Sequence, residues 1–391
     1  MRILIVTDAW HPQVNGVVRT LERVSEEVRL LGHTVLFLTP DLFRTVPMPS
    51  YPEIRLAITR PGTVAEKIEA FDPDHLHIST EGPLGQAARR AAINRGWSFT
   101  TSYHTRFPEY LRARLPVPES WSYWWLRRFH NAGRGTLVAT KSLAAELTGK
   151  GFTKVRPWTR GVDSEMYRPR KKSTIDLPRP IFLYVGRVAV EKNIEAFLSL
   201  DLPGTKVVVG NGPAKKSLEE RFPKAVFLGE KTGEDLAKAY SSADVFVFPS
   251  LTDTFGIVIL EALASGVPVA AYPVTGPLDV LKGTKAGVLD EDLGKAALKA
   301  LKLKRSDARD HALKHSWAAC AKMFLREIER AKAQGAPALP APAEPVPVVA
   351  KAAAKSKSKA ASKSKARTKA PVKTKKKAAQ KSPAKARKKA R

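Results

Sequence analysis

Cysteine is almost absent: Cys320 is the only one in 391 residues. A single thiol can form no internal disulfide and no cysteine-built zinc site. Long apolar runs are missing as well. No stretch of 18 apolar residues occurs, so no transmembrane helix is expected. Met1-Arg2 leads straight into Ile3-Leu4-Ile5-Val6 without the pattern of a cleavable signal. Acidic residues vanish after Glu344: Pro345 to Arg391 holds 18 of the 67 Lys and Arg and none of the 37 acids. The first 344 positions therefore carry 49 basic and 37 acidic residues, a net +12 on their own. Body and tail both favour anionic partners, whether phosphates, acidic lipid or nucleic acid. These features read as a cytosolic protein, free or held at the inner face of a membrane.

What is present is enough for two α/β domains with sizeable cores, since 43% of the residues are hydrophobic. The chain is organised around Ala243 to Ala270. Val245 to Phe248 reads as a buried strand, Ser250 to Gly256 as a polar loop, and Ile257 to Ala264 as a helix ended by Gly266-Val267-Pro268. That helix has no polar face, so it must be buried, yet it carries Glu261. An unpaired buried carboxylate costs several kcal/mol, so Glu261 needs a buried cation or a ligand. The helix starts at the carboxyl end of a strand, where open α/β sheets bind substrates. Its free amides near Phe255 to Val258 offer an anion site. A phosphate there would put an attached ribose near Glu261, roughly 7.5 Å along the axis. A structural ion pair behind the strand is the alternative.

At the amino end, Ile3 to Thr7, Val17 to Leu31 and Val35 to Leu38 read as strand, amphipathic helix and strand, a βαβ start that implies a doubly wound parallel sheet. Asn15-Gly16 between the first two permits close backbone approach. Asp74 to Ile78 is a further strand. His75 and His77 share one of its faces without a third metal ligand nearby, which favours a structural role. Asp72-Pro73-Asp74 reads as a turn. Phe99 to Ser102 is a strand that ends at Tyr103-His104-Thr105, placing His104 at a cleft, with a satisfied structural histidine as the alternative. Arg106 to Arg134 interleaves Arg106, Arg112, Arg114, Arg127, Arg128 and Arg134 with Trp121, Trp124, Trp125 and other aromatics. Such a mixture suits a bilayer headgroup layer of anionic lipid; core packing or an acceptor pocket are the alternatives. Ile181 to Val185 opens a second domain, followed by Gly186-Arg187-Val188-Ala189-Val190-Glu191-Lys192-Asn193. Ser316 to Arg330 is an amphipathic helix. Ala-Pro repeats then lead to a Lys/Ala/Ser-rich segment whose composition is that of a disordered cationic tail.

Several of these motifs, in this order, resemble retaining GT-B glycosyltransferases of glycosyltransferase family 4, in particular the glycolipid and sulfolipid synthase group. Asp253-x7-Glu261 resembles the family's E-x7-E, with Asp in place of the first Glu. Gly186 to Asn193 resembles G-R-x-x-x-E-K-N, Gly210-Asn211-Gly212-Pro213 resembles G-x-G-P, and Tyr103-His104-Thr105 resembles the signature of the sulfolipid group. The resemblance implies two Rossmann-like doubly wound domains facing a cleft, with a disordered basic C-terminal tail. The divisions would be an acceptor domain (1–165), a nucleotide-sugar domain (166–315), a crossover helix (316–333) and the tail (334–391). It implies that Glu261 holds the donor ribose, while Asp253 and the backbone at Phe255, Gly256 and Ile257 hold the donor sugar. Gly186, Arg187 and Lys192 would bind the diphosphate, Gly16 would face it across the cleft, Gly229 to Thr232 would lie by the base, and His104 would contact the sugar near the reacting centre. No cofactor, metal or carboxylate nucleophile is implied.

The expected activity is transfer of a sugar from a nucleotide-diphosphate donor, UDP-linked, to a membrane lipid such as diacylglycerol, giving an α-glycolipid. Arg106, Trp121, Trp124, Trp125, Arg127 and Arg128 are the candidate acceptor or membrane residues, and an anionic membrane surface the expected partner. A GDP-mannose-dependent mannosyltransferase acting on phosphatidylinositol or a saccharide is the alternative. A nucleic-acid-binding protein acting through its Lys-rich tail is the non-enzymatic one.

Overall fold

The computed structural model describes residues 1–334 except 14, 49–50, 113–117 and 171–174, with the side chains of 51–53 and 110 also outside the description. Arg114 and the Pro/Ala and Lys-rich tail therefore lie outside the described residues. The first domain runs β1 (Arg2–Val6), α1 (Gly16–Leu30), β2 (Thr34–Leu38), β3 (Arg44–Met48), β4 (Tyr51–Ile58) and α2 (Pro61–Phe71). It continues with β5 (His75–Ile78), α3 (Pro83–Arg95), β6 (Phe99–Tyr103), α4 (Phe107–Arg112), α5 (Glu119–His130), β7 (Thr136–Val138), α6 (Lys141–Gly149) and β8 (Val155–Pro157). The second runs β9 (Ile181–Val185), α7 (Ile194–Leu198), β10 (Thr205–Val209), α8 (Lys215–Arg221), β11 (Val226–Phe227), α9 (Gly233–Ser242) and β12 (Val245–Phe248). It closes with α10 (Ile257–Ala264), β13 (Val269–Ala271), α11 (Pro277–Leu281), β14 (Gly287–Leu289), α12 (Leu293–Ala300) and α13 (Arg305–Ala312), before α14 (Trp317–Ala333).

Two parallel six-stranded sheets result, ordered β2-β1-β5-β6-β7-β8 and β11-β10-β9-β12-β13-β14. The fold is thus a pair of Rossmann-like doubly wound domains. In each sheet the strand order reverses once, between β1 and β5 and between β9 and β12. The crevice at the carboxyl ends of such strands is where this architecture binds ligands. Local sequence explains the entry to each crevice. Asn15 caps α1, its Oδ1 accepting from the amides of Val17 at 3.0 Å and Val18 at 3.1 Å. Val18, Leu21, Val24 and Val28 then bury one face of that helix. The antiparallel β3–β4 hairpin is one element that periodicity does not reveal. Pro47 and Pro52 interrupt its alternation, and Val46 and Ile58 are exposed.

His75 and His77 are buried on the face of β5 that receives α14. Thr100 Oγ1 sits 2.9 Å from His75 Nε2 and 2.8 Å from His77 Nδ1, and Ser102 Oγ is 2.9 Å from His77 Nε2. Burial pushes both rings down to about 3, so they are neutral, structural histidines. Asp72 ends α2 in the left-handed region, with φ +47°. The pairing of His77 with Phe324, ring centroids 5.1 Å apart, belongs to the core that Trp317, Cys320, Phe324 and Ile328 of α14 share with Ile3, Ile5, Leu21 and Val24 of the first domain.

The start of α14 meets the chain leaving β8 very closely. Val162 donates to the His315 carbonyl at 3.1 Å, and Trp158 Nε1 to that of Cys320 at 3.1 Å. A Cβ on Gly161 would fall 2.3 Å from the Trp317 nitrogen, so only glycine fits this corner. Gly161→Ala is therefore expected to cost about 1–3 kcal/mol, the usual range for overpacking, seen as a lower urea midpoint; an unchanged midpoint would mean that the corner relaxes freely.

Candidate active site

The loops leaving β9 and β12 flank the reversal point of the second sheet and lock together. The Lys192 ammonium is bonded to Asp253, and Asn193 Nδ2 donates to the Pro249 carbonyl at 3.1 Å. Gly186 donates to Val209 at 3.0 Å and Val188 to Asn211 at 2.9 Å, fastening the following glycine turn beneath the Arg187 loop. Arg187 is half-buried, and its carbonyl accepts the Tyr184 hydroxyl at 3.0 Å. Sequence reasoning gave Lys192 and Asp253 separate duties; the structure brings them together as one ion pair. Gly256 turns the chain into α10 at φ +83°, and none of the described side chains caps the helix there. Phe248 leaves no room for a side chain, its Cζ lying 3.0 Å from where a Cβ would stand. The first-turn amides of α10 thus begin beside the Asp253 loop, a favourable place for an anion.

Glu261 is only 3% exposed, and of the partners its burial requires the structure supplies a cation. Arg19 Nη1 of α1 lies 3.1 Å from Oε1, and the Tyr240 hydroxyl donates to Oε2 at 2.8 Å. The ion pair runs across the cleft to the other domain, not behind the strand. Gly16, one turn before Arg19, faces Ile257, whose Cδ1 is 3.8 Å from a Cβ position on that glycine. A cavity of about 360 Å³ opens beside the pair, lined by Gln13, Arg19, Tyr167, Thr232, Gly233 and Glu261 among others.

The first domain brings its own reversal point to this cleft. Asp8, just after β1, is buried and accepts the amides of Leu84 at 2.8 Å and Gly85 at 3.1 Å and the Thr80 hydroxyl at 2.8 Å. It caps α3 from outside. Burial raises its pKa against the lowering effect of those bonds. His104, at the end of β6, is half-buried. Its Nε2 is 3.0 Å from Ser79 Oγ and its Nδ1 is 3.3 Å from Arg160 Nη2. Burial and the adjacent Arg160 charge hold its pKa well below the ordinary histidine value. The His104 carbonyl accepts the Thr254 hydroxyl at 2.7 Å, so the Asp253 loop and the His104 loop meet directly. Deeper in, Glu81 Oε1 is 3.1 Å from His130 Nε2. Among the described residues no group of three or more His, Cys, Asp or Glu is placed to hold a metal ion.

Arg19, Ser79, Tyr240 and Arg160 were not singled out from the sequence. Arg19 lies on an amphipathic helix where a charge reads as solvent-facing, and Arg160 stands in a loop whose path only the fold determines.

The aromatic and basic segment divides. Arg106 is not a surface cation: it is buried, with Nη1 3.0 Å and Nη2 2.6 Å from the two oxygens of Glu146, and 3.1 Å from Glu109. Glu109 also accepts the Tyr123 hydroxyl at 2.6 Å. Two carboxylates on neighbouring elements required that cation, and no local pattern announced them. Arg127 is partly committed too, donating to the Lys150 carbonyl at 2.9 Å. Trp121, Trp124 and Trp125 do lie on the outer side of α5, exposed by 72%, 56% and 37%. The Arg128 guanidinium sits 6.0 Å from the Trp124 ring.

Comparison with known proteins identifies the family. The model described as Glycosyltransferase Family 4 matches residues 14–166, and that described as Glycosyl transferases group 1 matches 167–311. The chain is 31% identical over 315 residues to a GDP-mannose-dependent alpha-mannosyltransferase of Mycobacterium tuberculosis, covering 74% of this chain and 83% of that one. It is 34% identical over 316 residues to the sulfoquinovosyl transferase SQD2 of Arabidopsis thaliana, covering 73% and 62%. Sucrose-phosphate synthase from Thermosynechococcus elongatus shares the fold, with TM-score 0.68, 18% identity and coverage of 85% and 99%. The protein belongs to glycosyltransferase family 4 and has the GT-B fold: it is a glycosyltransferase.

Arg106→Met should lower stability by about 3 kcal/mol, the low end of the cost of orphaning one side of a buried ion pair, and should do so without any lipid present. Wild-type stability with impaired vesicle binding would restore Arg106 to the surface.

Proposed function

We propose that the chain moves a sugar from a nucleotide-diphosphate donor, UDP-linked, to a membrane lipid acceptor such as diacylglycerol, with retention of the donor's α configuration. The observation that carries this reading is the meeting of Lys192, Asp253, the amino end of α10 and His104 at one place, with Glu261 behind them. Arg187, Lys192 and the α10 amides supply positive charge where a diphosphate leaving group develops negative charge, an electrostatic contribution made in place before the reaction. Lys192 then exchanges part of its bond with Asp253 for phosphate oxygens, freeing Asp253 to accept from sugar hydroxyls. Glu261 accepts from the ribose diol, with Tyr240 orienting it. In this scheme the acceptor attacks the face from which the diphosphate departs, and the leaving phosphate takes its proton.

A lipid acceptor is supported by the exposed tryptophans of α5. Trp121, Trp124 and Trp125 beside Arg128 suit a headgroup layer, where amphipathic rings and cations are both accommodated. The tail adds a polybasic, salt-sensitive attraction to the inner face of the membrane. Among the described residues no helix is long and apolar enough to cross a membrane. The second reading, GDP-mannose as donor, is supported by the name of the Mycobacterium relative. Assay of membranes with a panel of UDP- and GDP-sugars, followed by lipid analysis, decides between them. No transfer from any member would overturn the proposal.

Glu261→Ala is expected to weaken nucleoside binding by about 1.5–3 kcal/mol, the range for a charge-assisted hydrogen bond, or roughly tenfold to a hundredfold and more in affinity. Glu261→Gln should lose less. Unchanged nucleotide affinity in folded Glu261→Ala would remove the ribose assignment. Substituting Arg187 or Lys192 should weaken the nucleoside diphosphate far more than the nucleoside, as calorimetry would show; equal losses would point to a structural role.

For the membrane, replacing Trp124 and Trp125 with Ala should impair transfer to lipid even in detergent while nucleotide binding survives. Truncation after Gly335 should weaken binding to anionic vesicles in a salt-dependent way and leave transfer in detergent intact. Identical vesicle binding by the truncated and full chains would make nucleic acid the next candidate partner for the tail, testable by gel shift.

A further inference from the structure

Arg160 is 3% exposed, and among the described residues no carboxylate forms an ion pair with it. Its Nη1 donates to the carbonyls of Trp158 at 2.6 Å and Thr159 at 3.1 Å. Its guanidinium carbon lies 4.5 Å from the centre of the Trp158 ring. Burial without a counter-charge pulls its pKa down to about 10, which still leaves it protonated at neutral pH. A fold that needed only an apolar plug here would be better served by methionine, because buried cations are costly. The remaining contact of Arg160 is the one that leads to the cleft: Nη2 to His104 Nδ1 at 3.3 Å.

That contact has a chemical consequence. A guanidinium has five donors and no acceptor, so Nδ1 of His104 must be the accepting nitrogen. The ring proton then resides on Nε2, which faces Ser79 Oγ at 3.0 Å, and the hydroxyl accepts it. Besides Arg160, the titratable groups that act on the ring are His77 of β5 and His130 of α5. His77 is neutral at about 3, and His130 is bonded to Glu81 and Thr101. Neither offers the carboxylate that an imidazolium would need. Arg160 cannot drift from the ring either, because Gly161 is wedged against Trp317 and Cys320 Sγ lies 2.9 Å from the Thr159 carbonyl. The corner where α14 returns to the first domain therefore fixes the guanidinium, and the guanidinium fixes the ring.

We infer that Arg160 is a positioning residue for sugar transfer, holding His104 as the neutral imidazole with its proton on Nε2, so that the ring serves the cleft as a hydrogen-bond donor and carries no proton through the reaction. The inference rests on the reading of His104 as a site residue. Nε2–H can pass from Ser79 to a sugar oxygen without a change of protonation. Arg suits the position because, unlike Lys, it does not release its proton when buried.

The test uses the full chain labelled with 15N in its eight histidines, with the His104 signals assigned by their loss in His104→Gln. In the wild type, His104 should show a protonated Nε2 and a bare Nδ1 throughout pH 5.5–8. In Arg160→Met, whose side chain is unbranched, apolar and without charge, the signals should move to mixed tautomers and titrate towards the ordinary histidine range. The same variant should lose on the order of 10–100-fold in kcat, taking as a guide the loss on removing partners that orient metal-ligating histidines, with donor KM nearly unchanged. Its residual activity should fall as the pH drops and the ring protonates, an acid limb absent from the wild type. Arg160→Lys should recover part of the tautomer and part of the rate.

A wild-type His104 protonated on Nδ1, or one that titrates between pH 5.5 and 8, would overturn the inference. So would a folded Arg160→Met variant with wild-type kcat and pH profile. If Arg160→Met does not fold, the wild-type spectrum and Arg160→Lys still decide. A wild type that transfers no sugar from any donor would count against the proposed function; the spectrum reports separately on whether Arg160 sets the tautomer.

Discussion

Glu261 enters the core on α10, a helix with no polar face to keep a carboxylate in water, and much of the cleft is arranged by what makes that burial tolerable. Tyr240 reaches it from α9 within the same domain, and Arg19 reaches it from α1 of the other. A charge that would cost several kcal/mol if left alone thereby becomes a tie between the two sheets. Gly16 and Ile257 approach on the same line, and Thr254 closes onto the His104 carbonyl nearby. Ser142 and Asp279 make a further contact between the domains, the Ser142 amide donating to Asp279 at 3.1 Å. Polar contacts, with one carboxylate prominent among them, thus help to define the cleft.

The same economy applies to charge elsewhere in the first domain. Asp8 is buried but spends its oxygens on the amides that open α3. Arg106 is buried but answers Glu109 and Glu146. Lys150 completes that cluster, bonding Glu146 at 2.8 Å and lying 3.8 Å from the centre of the Tyr123 ring. Arg160 differs from these: its acceptors are carbonyls and an imidazole, so its charge acts on His104 instead of being cancelled. Buried pairs contribute little net stability when whole and cost a great deal when broken. Their effect here is to fix geometry.

Much of the architecture was legible before any coordinate was known. The apolar runs Ile3–Val6, Ile181–Val185 and Val245–Phe248 lie on central strands, as buried parallel strands must. The β3–β4 hairpin was not legible, because its prolines and exposed apolar side chains break the alternation that marks a strand. Nor was the split within Arg106 to Arg134. Helical spacing separates Trp121, Trp124 and Trp125 from Tyr123 and Leu126 only once the start of α5 is known, and that start depends on how the segment packs against α6 and β6.

The sequence by itself determined the chemistry on offer: one carboxylate in an apolar helix, two cations in a glycine-led loop, a histidine at a strand end, and a tail without acids. Those features are local, and a strand, a turn or a helix end is decided within a few residues by periodicity and backbone sterics. Only the tertiary structure decided the partnerships. That Glu261 belongs with Arg19, 242 positions away, that Lys192 belongs with Asp253, and that Arg160 turns its charge on His104 are consequences of bringing remote segments together. Electrostatic pairing depends on distance in space and on exclusion of water. Neither is written into the spacing of residues along a chain.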